Sequence, residues 1–139
     1  MKRKTFIFIL MAAITILALG SCLSTQGIDN QHNAKNSVDW VGVYEGTIPA
    51  ADCDGINVSM ELFKDQTYQM SYEYIGKGDK PFIWTGKFKW DDTGNIIILD
   101  STDVSNYYKV VEHRLIQLDM KGKPIKGVLA DNYVLNRVL

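Results

Sequence analysis

The chain has 139 residues, 46% of them apolar, 22% charged and 11% aromatic, with a formal net charge of −1. That length fits one domain rather than two, and the apolar fraction is too high for a disordered chain. Two cysteines exclude a disulfide-rich scaffold, and no basic run marks a nucleic-acid surface.

The first element is a secretion signal. Lys2, Arg3 and Lys4 form a positive cluster, followed by fourteen uncharged residues from Phe6 to Leu19. As a helix that run would span about 21 Å, short of the ~30 Å hydrocarbon core. It therefore reads as the apolar core of a signal peptide covering 1–21 and not as a membrane span. The next residues, Leu19-Gly20-Ser21-Cys22, resemble the bacterial lipobox. That resemblance implies that Cys22 becomes the mature N-terminus and carries three acyl chains, a persistent anchor. Leu23 follows in place of an aspartate that would suggest inner-membrane retention, so the expected location is the outer membrane of a Gram-negative bacterium, facing the periplasm. Loss of residues 1–21 leaves 12 basic against 16 acidic residues, a net of −4, which disfavours anionic partners.

Residues 22–38 are expected to form the lipidated terminus and a flexible tether, since 24–37 hold two aliphatic residues, no aromatics and no period. His32 lies within it as a solvated side chain.

From Val38 onward the dominant period is two, the mark of half-buried strands. In 82–90, Phe82, Trp84, Phe88 and Trp90 share one face and Thr85, Lys87 and Lys89 the other. Gly86 falls on the aromatic face, where a missing side chain permits a bend or close approach. Tyr68, Met70, Tyr72 and Tyr74 alternate with Gln69, Ser71 and Glu73; Ile56, Val58, Met60 and Leu62 alternate with Asn57, Ser59 and Glu61. Cross-strand partners must share a face, which demands a three-residue loop through Thr67 or a bulge between these two strands. The expected pairs are Leu62 with Met70, Met60 with Tyr72 and Val58 with Tyr74. Further strands are predicted at 40–48, 95–100, 106–113, 115–119 and 132–139, with turns at 91–94, 101–103 and 121–124; only 104–114 is ambiguous with helix. About eight short strands over 39–139 predict an all-β, antiparallel up-and-down barrel, whose closure removes exposed edges.

The segment Gly42-x-Tyr44-x-Gly46-x-x-Pro49-x-Ala51-Asp52-Cys53-x-Gly55-Ile56 resembles the N-terminal domain of the NlpE family, often labelled copper-resistance lipoproteins. The similarity continues through Leu62-x-Lys64-Asp65-x-Thr67-Tyr68 and more loosely to Gly86, Gly94 and Tyr133. It implies a small lipocalin-like barrel on the outer membrane, a link from envelope stress or surface contact to an inner-membrane sensor kinase, and copper handling. The family's Cys-x-x-Cys pair falls here on Ala50 and Cys53, so half of it is absent.

That departure bears on chemistry. With Cys22 acylated, Cys53 has no disulfide partner in the chain. Two converging thiolates hold Cu(I) well, whereas Asp52 and Asp54 beside Cys53 are hard oxygen donors next to a soft one. Met60 lies seven residues on, roughly 23 Å along an extended strand, and both Met60 and Met70 sit on the apolar face where packing is the default. No cofactor is required, and Cu(I) at Cys53, Asp52 and Asp54 is the one metal reading left.

Catalysis has no support: the sequence holds no nucleophile elbow, phosphate loop or zinc-binding His-Glu-x-x-His. Glu112 and His113 are adjacent, and strand neighbours point to opposite faces. The inward aromatics, including Tyr72, Trp84, Phe88 and Trp90, either fill the barrel or line a pocket for a hydrophobic small molecule. Three readings follow. The leading one is a non-catalytic lipoprotein contacting an envelope sensor protein; the others are a lipocalin-like ligand carrier and a copper-binding turn.

Overall fold

The computed structural model describes residues 32–78 and 80–138. Eight antiparallel strands form a closed barrel in sequence order. They are β1 (Gly42–Ile48), β2 (Ile56–Leu62), β3 (Thr67–Tyr74), β4 (Phe82–Trp90), β5 (Ile96–Leu99), β6 (Tyr107–Val111), β7 (Arg114–Gln117) and β8 (Val134–Arg137). Each pairs with the next, and β8 returns to β1 through Tyr44–Arg137 and Glu45–Asn136. Segment 104–114, ambiguous in sequence, thus supplies β6 and the turn into β7.

Alternation in sequence becomes alternation in burial. Tyr44, Met60, Leu62, Met70, Ile97, Tyr108 and Leu115 are fully enclosed, while Gln69, Glu73, Lys87 and Lys89 face solvent. Two glycines on the inner face let backbones approach. A Cβ on Gly46 would strike the Val134 carbonyl of β8, so closure passes over a bare Cα; one on Gly86 would strike the Asp100 carboxylate. Asp100 instead accepts the Lys87 N–H at 3.0 Å.

The β2–β3 register differs from the expected one by two residues. The observed pairs are Leu62–Tyr68, Met60–Met70 and Val58–Tyr72. Parity holds, but the loop is Lys64 to Gln66 and Thr67 belongs to the strand. The cause is Asp65, whose carboxylate accepts both the Thr67 N–H (3.0 Å) and its hydroxyl (2.6 Å). Gln66 then takes the left-handed position at φ 65° and the Phe63 N–H closes on the Thr67 carbonyl at 3.0 Å.

Expected signal peptide 1–21 and lipidation site Cys22 lie outside the described residues, as does most of the tether. Its last part, 33–38, is not a tether. A single helical turn, α1 (Ala34–Ser37), is capped by Asn33, whose side chain accepts from the Asn36 N–H. The Ala34 N–H donates to Asn95 Oδ1 and the Lys35 N–H to the Gly94 carbonyl, both at 3.0 Å. Ala34 is buried, and Trp40 follows onto Phe88 and Trp90. One turn is too short to show a helical period, and its partners are sixty residues away, so nothing in 24–37 announced it. Arg137 ties the same segment down, donating to Asp39 and to the Val41 carbonyl.

The barrel therefore has two unlike ends. Segment 33–41 covers the end with the β2–β3, β4–β5 and β6–β7 turns. The opposite end carries the loops 49–55, 75–81, 100–106 and 118–133. On that side β4 outruns its neighbour: it pairs with β3 over Phe82 to Lys87 but with β5 only over Phe88 to Trp90.

Candidate functional site

The loop 49–55 joins β1 to β2 at the end opposite α1. Gly55 turns it at φ 145°, pressed so close to Thr47 that a Cβ would crowd its methyl group, and its carbonyl accepts the Ile75 N–H at 3.0 Å. Cys53 is half-buried, and its thiol donates to the Gly55 carbonyl at 3.1 Å. The thiol is thus spent on holding its own loop.

Asp52 points away to a salt bridge with Lys77 of the β3–β4 loop. Hydrogen bonding and charge from Lys77 lower the Asp52 carboxyl below the usual range, and the same bond raises Lys77. Lys77 also lies over the Tyr74 ring, 5.5 Å from its centroid. Asp54 is exposed and faces Gly76. Met60 and Met70 face each other across β2 and β3, fully buried. Among the described residues the expected Cu(I) donors Cys53, Asp52 and Asp54 do not gather into one site. Ala50 has no donor atom, Asp52 is occupied by a cation, and among the described residues no three His, Cys, Asp or Glu side chains converge.

The four aromatics singled out as a pocket separate into two groups. Tyr72 and Trp84 meet edge to face at 5.3 Å, and Phe82 stacks on Trp84 at 6.0 Å and meets Tyr74 at 6.0 Å. This group lies toward the 49–55 end. Phe88 and Trp90 instead join Trp40 under α1, with centroids 5.6 to 6.3 Å apart. Trp90 Nε1 is buried there without a hydrogen-bond partner among the described residues.

Between the groups lies a polar thread that periodicity gave no reason to expect. Tyr108 Oη donates to Met70 Sδ at 3.8 Å and lies 3.5 Å from Tyr72 Oη. Burial pushes Tyr108 well above the ordinary phenol value; it also raises Tyr72, against the lowering effect of its hydrogen bond with Tyr108. Both are neutral hydroxyls at any physiological pH. The pair Glu112 and His113 also departs from expectation. Both lie in the β6–β7 turn, His113 at φ 58°, so their side chains approach to 3.5 Å instead of pointing apart, and both are exposed.

The profile of the family described as NlpE N-terminal domain matches residues 44–128, from the first inward tyrosine of β1 into the loop before β8. The chain belongs to the NlpE family. It is 30% identical over 135 residues to Lipoprotein NlpE of Escherichia coli strain K12, covering 95% of this chain and 56% of that protein. The chain thus spans little more than half the length of that curated relative. Among solved structures it is similar to a putative lipoprotein from Shewanella oneidensis, at 40% identity and a TM-score of 0.69, over 76% of this chain and 94% of that one. It is also similar to the Cpx pathway activator NlpE from Escherichia coli, at 29% identity and a TM-score of 0.52, over 62% of this chain and 46% of that one. The NlpE-like barrel expected from the 42–56 segment is the fold observed.

Proposed function

We propose that this protein is a lipid-anchored, non-catalytic envelope lipoprotein, held through Cys22 at the outer membrane and facing the periplasm, that conveys envelope stress or surface contact to a sensor protein by direct protein contact. One observation carries the reading: the chain shares its barrel with a relative described as a Cpx pathway activator, while in its own loop the Cys53 thiol bonds the Gly55 carbonyl and Asp52 bonds Lys77. A protein that signals through contact needs a stable barrel and an outer surface, and neither depends on a second thiol.

Carriage of a hydrophobic ligand is less well supported, because Tyr108, fully buried, reaches both Tyr72 and Met70 inside the barrel where a ligand would sit. Catalysis is disfavoured by the exposure of Glu112 and His113, which leaves that pair in water.

The test is a Cpx-pathway reporter in Escherichia coli lacking its own NlpE. Expression of the full chain should induce the reporter, and Cys22→Ser should move the protein out of the membrane fraction. No induction by a membrane-localised chain would refute the contact reading, and unchanged membrane localisation of Cys22→Ser would refute the anchor.

A further inference from the structure

We propose that the open edge of β4 at Ile83 and Thr85 is a docking site for one extended segment of another protein, of the pattern apolar–basic–apolar. The proposal rests on the reading of the domain as a protein-contact module and names the chemistry of the contact.

The edge follows from strand lengths. Backbone groups along a strand point alternately to its two neighbours. Phe88 N–H donates toward β3, to the Gln66 carbonyl, whereas Lys87 faces the β5 side, bonded to Asp100 through both its N–H and its carbonyl. Ile83 and Thr85 share the parity of Lys87, so their N–H and C=O groups also face the β5 side. But β5 ends at Leu99, and the chain leaves at Asp100. Among the described residues, two donors and two acceptors therefore stand open in a row, bounded by Pro81, which has no N–H, and by Asp100 on Lys87. A row of that kind is complementary to an extended backbone.

The side chains around it specify the rest. Ile83 projects outward with 64% of its surface exposed, and Phe82 at the rim is 50% exposed. A residue paired opposite Ile83 gains by being apolar. A residue opposite Trp84 would point inward, into a cleft of about 290 Å3 whose lining includes Tyr68, Trp84, Thr85, Asp100 and Asp103. That cleft is lined by the Trp84 indole and two carboxylates with no cation among its lining residues, which suits a lysine or arginine. A second copy of this chain, paired through the same edge, would present Phe82, Trp84 or Gly86 at that position, without the charge the cleft calls for.

The probe is a fluorescent acetyl-Thr-Val-Lys-Val-Thr-amide peptide, titrated by anisotropy against the full chain purified in detergent. Thr85→Pro removes one edge donor and leaves the β3 ladder intact, because that N–H does not face β3. Binding should weaken about tenfold in Thr85→Pro, in Asp103→Lys, and for a peptide carrying Glu in place of Lys. Amide exchange at Ile83 and Thr85 should slow on binding. Asp103→Lys keeps the test readable if Thr85→Pro does not fold. Absence of binding, or binding indifferent to the Lys-to-Glu change and to Asp103→Lys, overturns the proposal; so does dimerisation of the chain abolished by Thr85→Pro, which would give the edge to a second copy. Peptide failure with the Cpx-pathway reporter still induced removes this docking site alone, whereas a silent reporter removes the contact reading beneath it.

Discussion

Met60, Met70 and Tyr108 define what single residues contribute. Met60 and Met70 offer soft donors to a metal in principle, but each is enclosed on the inner face of the sheet, so their sulfurs act in packing. Met60→Ala should destabilise the barrel by about 2–5 kcal/mol, seen as a lowered denaturant midpoint at unchanged slope. Tyr108→Phe removes a hydroxyl whose bonds are long, to Met70 Sδ and Tyr72 Oη, and should cost only about 1 kcal/mol in the same assay. Cys53 was legible as a lone thiol from the missing partner at Ala50. Its bond to the Gly55 carbonyl was not, because that depends on the left-handed turn at Gly55. Asp52 was likewise visible as an acid but not as the partner of Lys77, twenty-five residues away and across a hairpin.

At the scale of elements, the strands were readable because each is half-buried and writes its period of two directly into the sequence. Register was readable only to within parity. A shift of two residues keeps every side chain on its face, so the apolar pattern is blind to it, and the Asp65–Thr67 bonds decide. Segment α1 was illegible for the opposite reason: its stabilising partners, Asn95, Gly94 and the Phe88–Trp90 pair, come from distant chain. Asn95→Ala removes the acceptor for the Ala34 N–H. It should speed amide exchange at residues 34–38 while exchange in β2 and β3 stays unchanged, the mark of local rather than global opening. Unaltered exchange at 34–38 would mean that the Gly94 carbonyl, Trp40 and Arg137 hold the segment without Asn95.

For the molecule as a whole, two sets of groups set the pH window of stability. Tyr72 and Tyr108 titrate above the ordinary phenol value because burial disfavours the phenolate. Their contribution is complete below about pH 10 and is lost as pH rises through the raised values. Asp91 is partly desolvated, which raises it, yet the Ile96 and Asn95 N–H groups and the Thr93 hydroxyl outweigh that and hold it low. Asp65, bonded to Thr67, and Asp119, bonded to the Lys123 and Lys121 N–H groups, are low as well. Their contribution is present above the unfolded carboxylate value, about 4, and is lost as pH falls through the lowered values. The thermal midpoint should therefore be flat from about pH 5 to 9 and fall on both sides, with Tyr108→Phe softening the alkaline fall.

The same whole-molecule view separates the barrel from its Cys53 loop: the first carries the proposed contact and the second holds a thiol bonded to its own backbone. The most direct measurement is the Cpx-pathway reporter driven by the full chain and by its Cys53→Ala variant at matched membrane levels. Equal induction by both is the predicted result, since contact through the barrel surface does not use the thiol. Loss of induction in Cys53→Ala would contradict the account and return the loop at Ala50 to Asp54 to the centre of the function.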